Sequence, residues 1–316
     1  MKKKPLIVLT GPTAVGKTAL SILLAKAVNG EIISADSMQV YKEMDIGSAK
    51  IRPEEMCGIP HHLIDVFSPD EEFNIVKFQE LAKNAMEQIY SAGKIPIIAG
   101  GTGFYIQSVI YDIAFEENEE GKEYRTYLES IASMPNGEIK LHEMLKEVDP
   151  VSSEMIHANN VKRVIRALEF FEETKTPISE HNKEQREKES PYNFCYFVLN
   201  DDREKLYKNI DIRVDKMLEE GLVSEVKALH EKGYTKDMVS MQGLGYKEIL
   251  DYLNGEISLD RAVYLIKRDT RHFAKRQLTW FRREKEVEWV NKPDLDYDNQ
   301  KIIDYMLTKL KEKDIL

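Results

Sequence analysis

A glycine-rich loop lies between an apolar run and a helical pattern near the start of the chain. Residues 5–10 are typical of a buried strand, and helical spacing extends from about Lys17 to Val28. The loop between them fits the pattern G-x-x-x-x-G-K-[ST] in full, and its residues are Gly11, Pro12, Thr13, Ala14, Val15, Gly16, Lys17 and Thr18. Since a strand and a helix flank the loop, the pattern predicts a P-loop α/β domain that holds a pyrophosphate group.

The chemistry of this loop is specific for phosphate but does not identify the substrate. Backbone N–H groups and the helix N-terminus solvate phosphate oxygens, Lys17 adds a positive charge, and the Thr18 hydroxyl can ligate Mg²⁺. A nucleotide kinase therefore remains a possible function, and from the loop alone it is the preferred interpretation. An NTPase usually places an Asp at the end of a second apolar strand. Here the strand that ends at Ala99 runs into Gly-Gly-Thr-Gly instead.

Alternating strand and helix patterns predict a parallel sheet flanked by helices, in a P-loop NTPase-like α/β fold. Strand-like runs lie at 31–34, 94–99 and 192–199, and helical spacing covers 74–90. Residues 115–190 are polar and mostly helical. We therefore expect three parts, listed by range: a first part of the catalytic core at 1–114, an inserted helical domain at 115–190, and the rest of the core with a basic helical region at 191–316.

Charge is distributed unevenly along the 316 residues. The formal net charge is −10, yet residues 261–285 carry nine Lys or Arg and two acids, 9 − 2 = +7. A basic stretch of this kind is a usual footprint of nucleic-acid binding, and net charge alone is a poor guide where charge is segregated. Two cysteines far apart in sequence exclude a disulfide framework and suit the cytoplasm. No run is long and apolar enough to predict a membrane span.

Polar segments follow the strands at 31–34 and 94–99. They are Asp36-Ser37-Met38-Gln39 and the glycine-rich turn that contains Thr102. Ligands of open α/β sheets bind beyond the carboxyl ends of the strands, so these segments and the P-loop should line one crevice. Asp36 could act there as a general base or support Mg²⁺, or it could simply cap a turn, and its spacing does not decide between these roles. Thr102 could hydrogen-bond a reacting group.

Arg213 lies on the apolar stripe of a helix predicted from Asp202 to Leu218. Leu206, Ile210, Arg213 and Met217 follow the spacing i, i+4, i+7, i+11. A guanidinium on such a stripe needs a partner, because burying an unpaired charge is costly. That partner could be a pyrophosphate or an Asp or Glu side chain, and the pattern leaves both open.

Two helical segments present basic faces. One carries Lys162, Arg163 and Arg166, and the other carries Arg268, Arg271, Lys275 and Arg282, with Lys267 and Arg276 beside it. Stripes of this kind bind phosphate backbones, whereas a basic face with acidic neighbours is merely solvated. His61-His62 lacks a second cluster with metal-ligand spacing, so we interpret the pair as structural.

In combination these segments resemble the tRNA dimethylallyltransferase family. The resemblance extends over most of the chain in the family's order, and its segments are residues 11–18, 34–41, 44–50, 100–105, 163–169, 243–248 and 274–282. Phe104, where the family often has Leu, and Ser48, where Thr is frequent, are small departures. Neither lies at a proposed catalytic position.

The resemblance implies a reaction at the P-loop. The loop and Arg213 would hold dimethylallyl diphosphate, and a flipped-out adenosine 37 beside the anticodon of tRNA would attack its C1 carbon through N6. Asp36 would take the N6 proton, and Thr102 would contact the reacting amine or the bridging oxygen. Lys17, Arg213, the loop amides and Mg²⁺ on Thr18 would stabilise the leaving pyrophosphate.

The resemblance also implies contacts with the anticodon stem-loop. Asp36, Ser37, Met38, Gln39 and Thr102 would face the adenosine and its neighbours. Contacts elsewhere on the tRNA would come from Arg125, Lys162, Arg163, Arg166, Gly243, Tyr246, Lys247, Arg271, Lys275 and Arg276. We expect a monomer. The alternatives are a P-loop small-molecule kinase, a prenyltransferase that acts on free adenine nucleotides, and an RNA-binding module with a vestigial loop.

Overall fold

The computed structural model describes residues 3–115 and 122–316, and these form two compact units. Unit 1 comprises Met1–Ile110 and Pro191–Leu316, and unit 2 comprises Tyr111–Ser190. Among the described residues, none of the helices combines the length and apolar character needed to cross a bilayer. Cys57 is exposed, Cys195 is buried, and both are free thiols.

Unit 1 is built on a six-stranded sheet in which every neighbouring pair is parallel. The spatial order is β3-β2-β4-β1-β5-β6. The strands are β1 (Lys4–Thr10), β2 (Gly30–Ala35), β3 (His61–His62), β4 (Ile95–Gly100), β5 (Tyr192–Asn200) and β6 (Val287–Asn291). The predicted α/β fold with a parallel sheet is confirmed.

The inner strands are almost uninterrupted apolar runs because helices cover both faces of a parallel sheet. Leu6 to Thr10 of β1 are all buried, as is every residue of β2. In the register, Thr10 and Ala35 both pair with Gly100, so β1, β2 and β4 end at the same level. The loops that follow these three strands therefore meet at one edge of the sheet.

Eight helices of unit 1 surround the sheet or extend from it, and five helices make up the described part of unit 2. In unit 1 they are α1 (Lys17–Val28), α2 (Ile75–Ser91), α3 (Gly103–Ile110), α9 (Arg203–Glu219), α10 (Leu222–Glu231), α11 (Tyr246–Leu253), α12 (Leu259–Phe281) and α13 (Asn299–Glu312). In unit 2 they are α4 (Lys122–Ala132), α5 (Gly137–Val148), α6 (Pro150–Met155), α7 (Val161–Thr174) and α8 (Ile178–Glu187).

The main core of unit 1 packs α1, α9 and α13 against the sheet. Leu20 and Leu24 of α1 meet Ile7 and Leu9 of β1, and Met306 of α13 joins the same cluster. Unit 2 has its own core, in which Leu128, Leu141 and Leu145 pack against Val164 and Leu168 of α7. An independent apolar core is what allows a helical segment inserted between two strands to fold as a unit.

Candidate active site

The Gly11–Thr18 loop joins the end of β1 to the start of α1. Gly11 has φ 147°, and a Cβ there would lie 2.6 Å from the carbonyl oxygen of Leu199 on β5. Gly16 has φ 97° immediately before the helix. Only glycine tolerates these two positions, which bend the chain tightly over the end of the sheet. Val15 turns into the core and is 1% exposed, so it anchors the loop.

A cavity of about 650 Å³ lies within unit 1 beside this loop. It is lined by most of the residues that the sequence singles out there, namely Thr13, Ala14, Gly16, Lys17, Thr18, Asp36, Ser37, Met38, Gln39, Thr102, Arg213, Gly243, Lys247 and Arg276. Gly11, Pro12 and Val15 shape the loop from behind and do not line the cavity. The convergence of three strand ends therefore brings the predicted chemistry into one space.

Lys17 lies at the base of the cavity with its ammonium turned onto its own loop. Nζ donates to the carbonyl oxygens of Gly11 at 2.9 Å and Pro12 at 2.8 Å. Burial lowers the pKa of Lys17 from 10.5 to about 7, nearby Arg213 lowers it as well, and Asp36 opposes both. An anion that enters the cavity would compensate for the buried charge and raise this pKa.

Arg213 projects from α9 into the cavity. The apolar stripe of that helix is buried at Leu206, Ile210 and Val214, while Arg213 and Met217 are only partly buried and line the cavity. Within the described residues, no Asp or Glu forms an ion pair with Arg213. Burial lowers the pKa of its guanidinium, and the field of Asp36 partly offsets that effect. The ion-pair alternative is thus not what the structure adopts, and an anionic ligand remains the candidate partner.

Asp36 has one of the roles that the sequence left open, because it caps a turn, and it also lines the cavity. Its Oδ1 accepts hydrogen bonds from the backbone N–H groups of Met38 at 2.8 Å and Gln39 at 3.4 Å, which caps the turn after β2. None of the described hydrogen bonds uses its second oxygen, and the residue lines the cavity. Its charge acts on both Lys17 and Arg213. One oxygen therefore fixes the side chain while the other can accept a proton.

Thr102 lies at the third strand end. Its backbone N–H donates to the carbonyl oxygen of Ala35 at 3.2 Å, its carbonyl accepts from the first turn of α3, and its side chain lines the cavity. Its place opposite the loop is set by Gln277 of α12, whose amide bridges the two strand ends. Gln277 Oε1 accepts from Thr13 N–H at 2.9 Å, and Nε2 donates to Gly101 O at 3.0 Å.

Gln277 and Lys292 are site residues that the sequence analysis did not identify. Gln277 is 6% exposed, an unusual environment for an amide on a helix rich in Lys and Arg. Lys292 follows β6 and donates from Nζ to the carbonyl oxygen of Val15 at 3.0 Å. The one available signal for Gln277 is its spacing, since it lies three residues after Ala274 and four before Phe281, both of which are buried. For Lys292 the sequence offers none, because its contact spans 277 positions.

Gln39 and Tyr246 make hydrogen bonds within the protein, so their side chains are less available to tRNA than the resemblance implies. The Gln39 amide lies between Ser34 Oγ and the carbonyl oxygens of Ser48 and Ala49, at 3.3 to 3.4 Å. Tyr246 is 0% exposed, and its hydroxyl donates to Glu225 at 2.8 Å. A side-chain contact between Tyr246 and tRNA does not fit this structure, because the ring is part of the core. Gly243 and Lys247 do line the cavity.

Helix α12 divides into two basic groups that the sequence pattern did not separate. The paired basic group, Lys267, Arg268 and Arg271, contacts the carboxylates of Asp215 at 2.5 Å, Asp269 at 2.8 Å and Asp211 at 2.5 Å respectively. The paired group is therefore partly neutralised by acids, some of them on α9. Acids outside residues 261–285 thus neutralise part of this basic stretch, which weakens the assignment of Arg271 to tRNA.

The unpaired basic group consists of Lys275 and Arg276 on α12 and Arg283, two residues beyond its end. No ion pair involves any of the three within the described part of the chain. They line a surface groove of about 450 Å³ together with His272, Thr279 and Trp280, and Arg276 also lines the main cavity. The unpaired group thus leads from the protein surface to the candidate site.

In unit 2, α7 has the predicted division into apolar and basic faces. Val164, Ile165 and Leu168 are buried, whereas Lys162, Arg163 and Arg166 are exposed. Arg125 on α4 is half-exposed and contacts Glu129 at 3.0 Å and Glu169 at 3.3 Å. Burial raises the pKa of Glu169, and Arg125 acts in the opposite direction. Arg125 is therefore already paired, and Arg166 lies 4.0 Å from Glu173, whereas no ion pair involves Lys162 or Arg163 among the described residues.

The described residues contain no cluster of three His, Cys, Asp or Glu side chains arranged as metal ligands. His61 and His62 form the short edge strand β3. His62 Nε2 lies 2.7 Å from Glu31 Oε2, and His61 Nδ1 lies 2.8 Å from the carbonyl oxygen of Ile59. Thr18, Ser21, Ser34 and Asp36 supply oxygen atoms around a small cavity of about 60 Å³, which Lys17 and His61 also line.

Comparison with known proteins gives one consistent result. The sequence model of the family described as IPP transferase matches residues 39–284. The tRNA dimethylallyltransferase of Lachnoclostridium phytofermentans is 63% identical over 313 residues, which cover 99% of each chain. A solved tRNA isopentenylpyrophosphate transferase from Bacillus halodurans is 43% identical with a TM-score of 0.73, covering 99% of this chain and 98% of that one. A solved eukaryotic dimethylallyltransferase acting on tRNA is 32% identical with a TM-score of 0.76, covering 91% and 74% respectively.

Proposed function

The chain belongs to the IPP transferase family, and we propose that it transfers the dimethylallyl group of dimethylallyl diphosphate to N6 of adenosine 37, beside the anticodon of tRNA. The N6 nitrogen forms a bond to C1 of the allylic chain, the C1–O bond breaks, and its electron pair leaves with pyrophosphate. The proton lost from N6 goes to a carboxylate. The names of the relatives favour this reaction over a kinase or a prenyltransferase for free nucleotides.

The observation that carries the proposal is the placement of Lys17, Arg213 and Asp36 around a single cavity. Lys17 and Arg213 supply positive charge where a diphosphate would lie, and Arg213 forms no ion pair with the described residues. Asp36 acts electrostatically on both. A leaving group that gains negative charge would be stabilised at the cationic end, and an amine would lose its proton at the acidic end.

We assign Asp36 as the group that accepts the proton of N6. Its Oδ1 is held by the backbone N–H groups of Met38 and Gln39, so the side chain enters the reaction in a fixed orientation. The exocyclic amine of adenine is a weak nucleophile, and removal of its proton as the C–N bond forms lowers the barrier. Thr102, at the neighbouring strand end, would hydrogen-bond the amine or the bridging oxygen.

The oxygen donors beside the loop suit Mg²⁺. Thr18 would hold the ion with help from phosphate oxygens, and Asp36 is near enough to line the same small cavity. A hard cation that prefers oxygen ligands and retains several waters needs few protein ligands. When bound, Mg²⁺ would supply positive charge for the leaving diphosphate.

The tRNA would approach along the basic surfaces. In unit 1 the unpaired basic group leads to the cavity, and in unit 2 the exposed face of α7 adds Lys162, Arg163 and Arg166. Phosphate contacts of this kind position the nucleic acid, and the flipped adenosine would then enter the cavity. Two free cysteines suit a reducing compartment, and we propose that the enzyme is cytoplasmic and acts as a monomer.

The test is a transfer assay with the purified chain, Mg²⁺ and labelled dimethylallyl diphosphate. We expect label to enter tRNA that carries adenosine in the A36-A37-A38 context, and not tRNA in which adenosine 37 is replaced by guanosine. ATP turnover without transfer would favour a kinase. Transfer to free AMP in preference to tRNA would favour the nucleotide prenyltransferase.

A further inference from the structure

The carboxylate of Glu225 accepts four hydrogen bonds, one of them from Gly47 in the wall of the cavity. Oε2 accepts from the backbone N–H groups of Asp45 at 3.0 Å and Ile46 at 2.7 Å. Oε1 accepts from Gly47 N–H at 3.1 Å and from the Tyr246 hydroxyl at 2.8 Å. Three consecutive amides directed at one carboxylate form an anion-binding concavity, here closed by a side chain of the same protein.

Glu225 is held in place from both sides. Its helix, α10, is anchored by the buried side chains of Leu222 and Val226. Tyr246 lies against Gly47 so closely that a Cβ at that position would be 2.5 Å from the tyrosine ring. Burial and the neighbouring Glu225 raise the pKa of Tyr246 well above its usual value, so its hydroxyl stays a proton donor.

The 45–49 segment, which Glu225 holds, is linked to Asp36 through Gln39. Gly47, Ser48 and Ala49 line the cavity, and the carbonyl oxygens of Ser48 and Ala49 accept from the Gln39 side chain. The backbone of Gln39 in turn donates to Asp36 Oδ1. Hydrogen bonds and the intervening backbone of residues 45–49 therefore link Glu225, through Gln39, to the turn that orients the Asp36 carboxylate.

We propose that Glu225 is a positioning residue that holds the 45–49 segment so that Gln39 orients Asp36 toward the acceptor amine. Glu225 does not line the cavity and touches no reacting atom. The inference rests on the proposed transfer reaction and assigns Glu225 to its amine side. The diphosphate side, formed by Lys17 and Arg213, should be independent of it.

The Glu225→Gln variant separates these two sides. A glutamine keeps the size of the side chain, but its NH₂ group faces N–H or O–H donors where the carboxylate had an acceptor oxygen. We expect kcat for transfer to fall about 10-fold to 100-fold, because hydrogen bonds to a charged group are lost and their donors are left unpaired. The KM for dimethylallyl diphosphate should stay within about twofold. Glu231→Gln, at an exposed position of the same helix, serves as the matched control and should change neither.

A double-mutant cycle tests the route through Gln39. Residues that act in series give non-additive effects, so Glu225→Gln combined with Gln39→Ala should reduce kcat hardly more than Gln39→Ala alone. If Glu225→Gln proves unstable, Tyr246→Phe, which removes one of the four hydrogen-bond donors to Glu225, takes its place in a second cycle with Gln39→Ala. Additive losses in either cycle would overturn the proposal, as would an equal rise in the KM for dimethylallyl diphosphate or an unchanged kcat. A wild-type chain that transfers no label would instead refute the proposed function.

Discussion

Binding of dimethylallyl diphosphate should depend on pH through Lys17. The pKa of this residue is about 7, because burial and Arg213 disfavour the charged form. A diphosphate beside the ammonium favours the charged form and raises the pKa. The affinity for the diphosphate is therefore highest well below pH 7, where Lys17 is protonated before binding. It falls as the pH rises, because binding must then bring a proton to Lys17.

The size of the effect follows from the same pKa. If the pKa in the complex exceeds 9, the protonated fraction before binding falls from about one half at pH 7 to about 1% at pH 9, so affinity should fall about 50-fold. Calorimetry from pH 6 to 9, in two buffers of different ionisation enthalpy, gives both the affinity and the number of protons taken up.

Two variants isolate the contribution of Lys17 from titration of the ligand itself. Lys17→Met removes the titrating group, and Lys17→Arg keeps a charge that does not titrate in this range. Both should show only the ligand's own pH dependence. An affinity for the wild-type chain that is constant between pH 7 and 9, or the same decline in Lys17→Met, would refute the reasoning.

Three further changes test other parts of the site. Arg213→Gln should raise the KM for dimethylallyl diphosphate about 10-fold to 100-fold, since a charged hydrogen bond contributes about 1.5–3 kcal/mol. Arg203→Gln on the same helix is the control, and equal KM values for the two variants would contradict the assignment of Arg213 to the diphosphate. Replacing the unpaired basic group by glutamine should reduce the magnitude of the slope of log K for tRNA binding against log salt concentration by about 2–3. Replacing the paired basic group should reduce it by less than about 1. Similar slopes for the two variants would mean that the ion pairs do not decide which cations reach the tRNA. Gln277→Ala should lower the free energy of unfolding by about 1–3 kcal/mol in a urea titration, because it removes both hydrogen bonds between the strand ends. Gln300→Ala, at an exposed position of α13, should change it little.

The longer elements of unit 1 follow closely from sequence pattern. Helix α1 occupies the predicted range, and the predicted runs at 31–34, 94–99 and 192–199 lie within or next to β2, β4 and β5. Each is a long apolar run or a strong helical repeat, for which local pattern is sufficient. Strands β3 and β6 were not predicted, because β3 is only two residues long and β6 is short, partly exposed and carries a glutamate.

The residues at the strand ends were also predictable, because a parallel sheet brings them together whatever the details of packing. The limits appear where side chains from distant segments decide the environment. The paired and unpaired basic groups look alike in sequence, and they are distinguished mainly by the α9 acids Asp211 and Asp215, with Asp269 pairing Arg268. Tyr246 belongs to a motif of the resemblance, yet its ring is in the core because Glu225 and Gly47 receive it there.

The claim at the centre of the account is that Asp36 accepts the proton of the attacking amine. Asp36→Asn keeps an oxygen that can accept from Met38 and Gln39, so the turn should persist while the base is lost. Single-turnover transfer to tRNA, measured beside the tRNA dissociation constant of the same protein, tests this directly. The account predicts a rate reduced about 100-fold or more with a dissociation constant changed less than about threefold. A rate close to that of the wild type, or equal losses of rate and affinity, would contradict it.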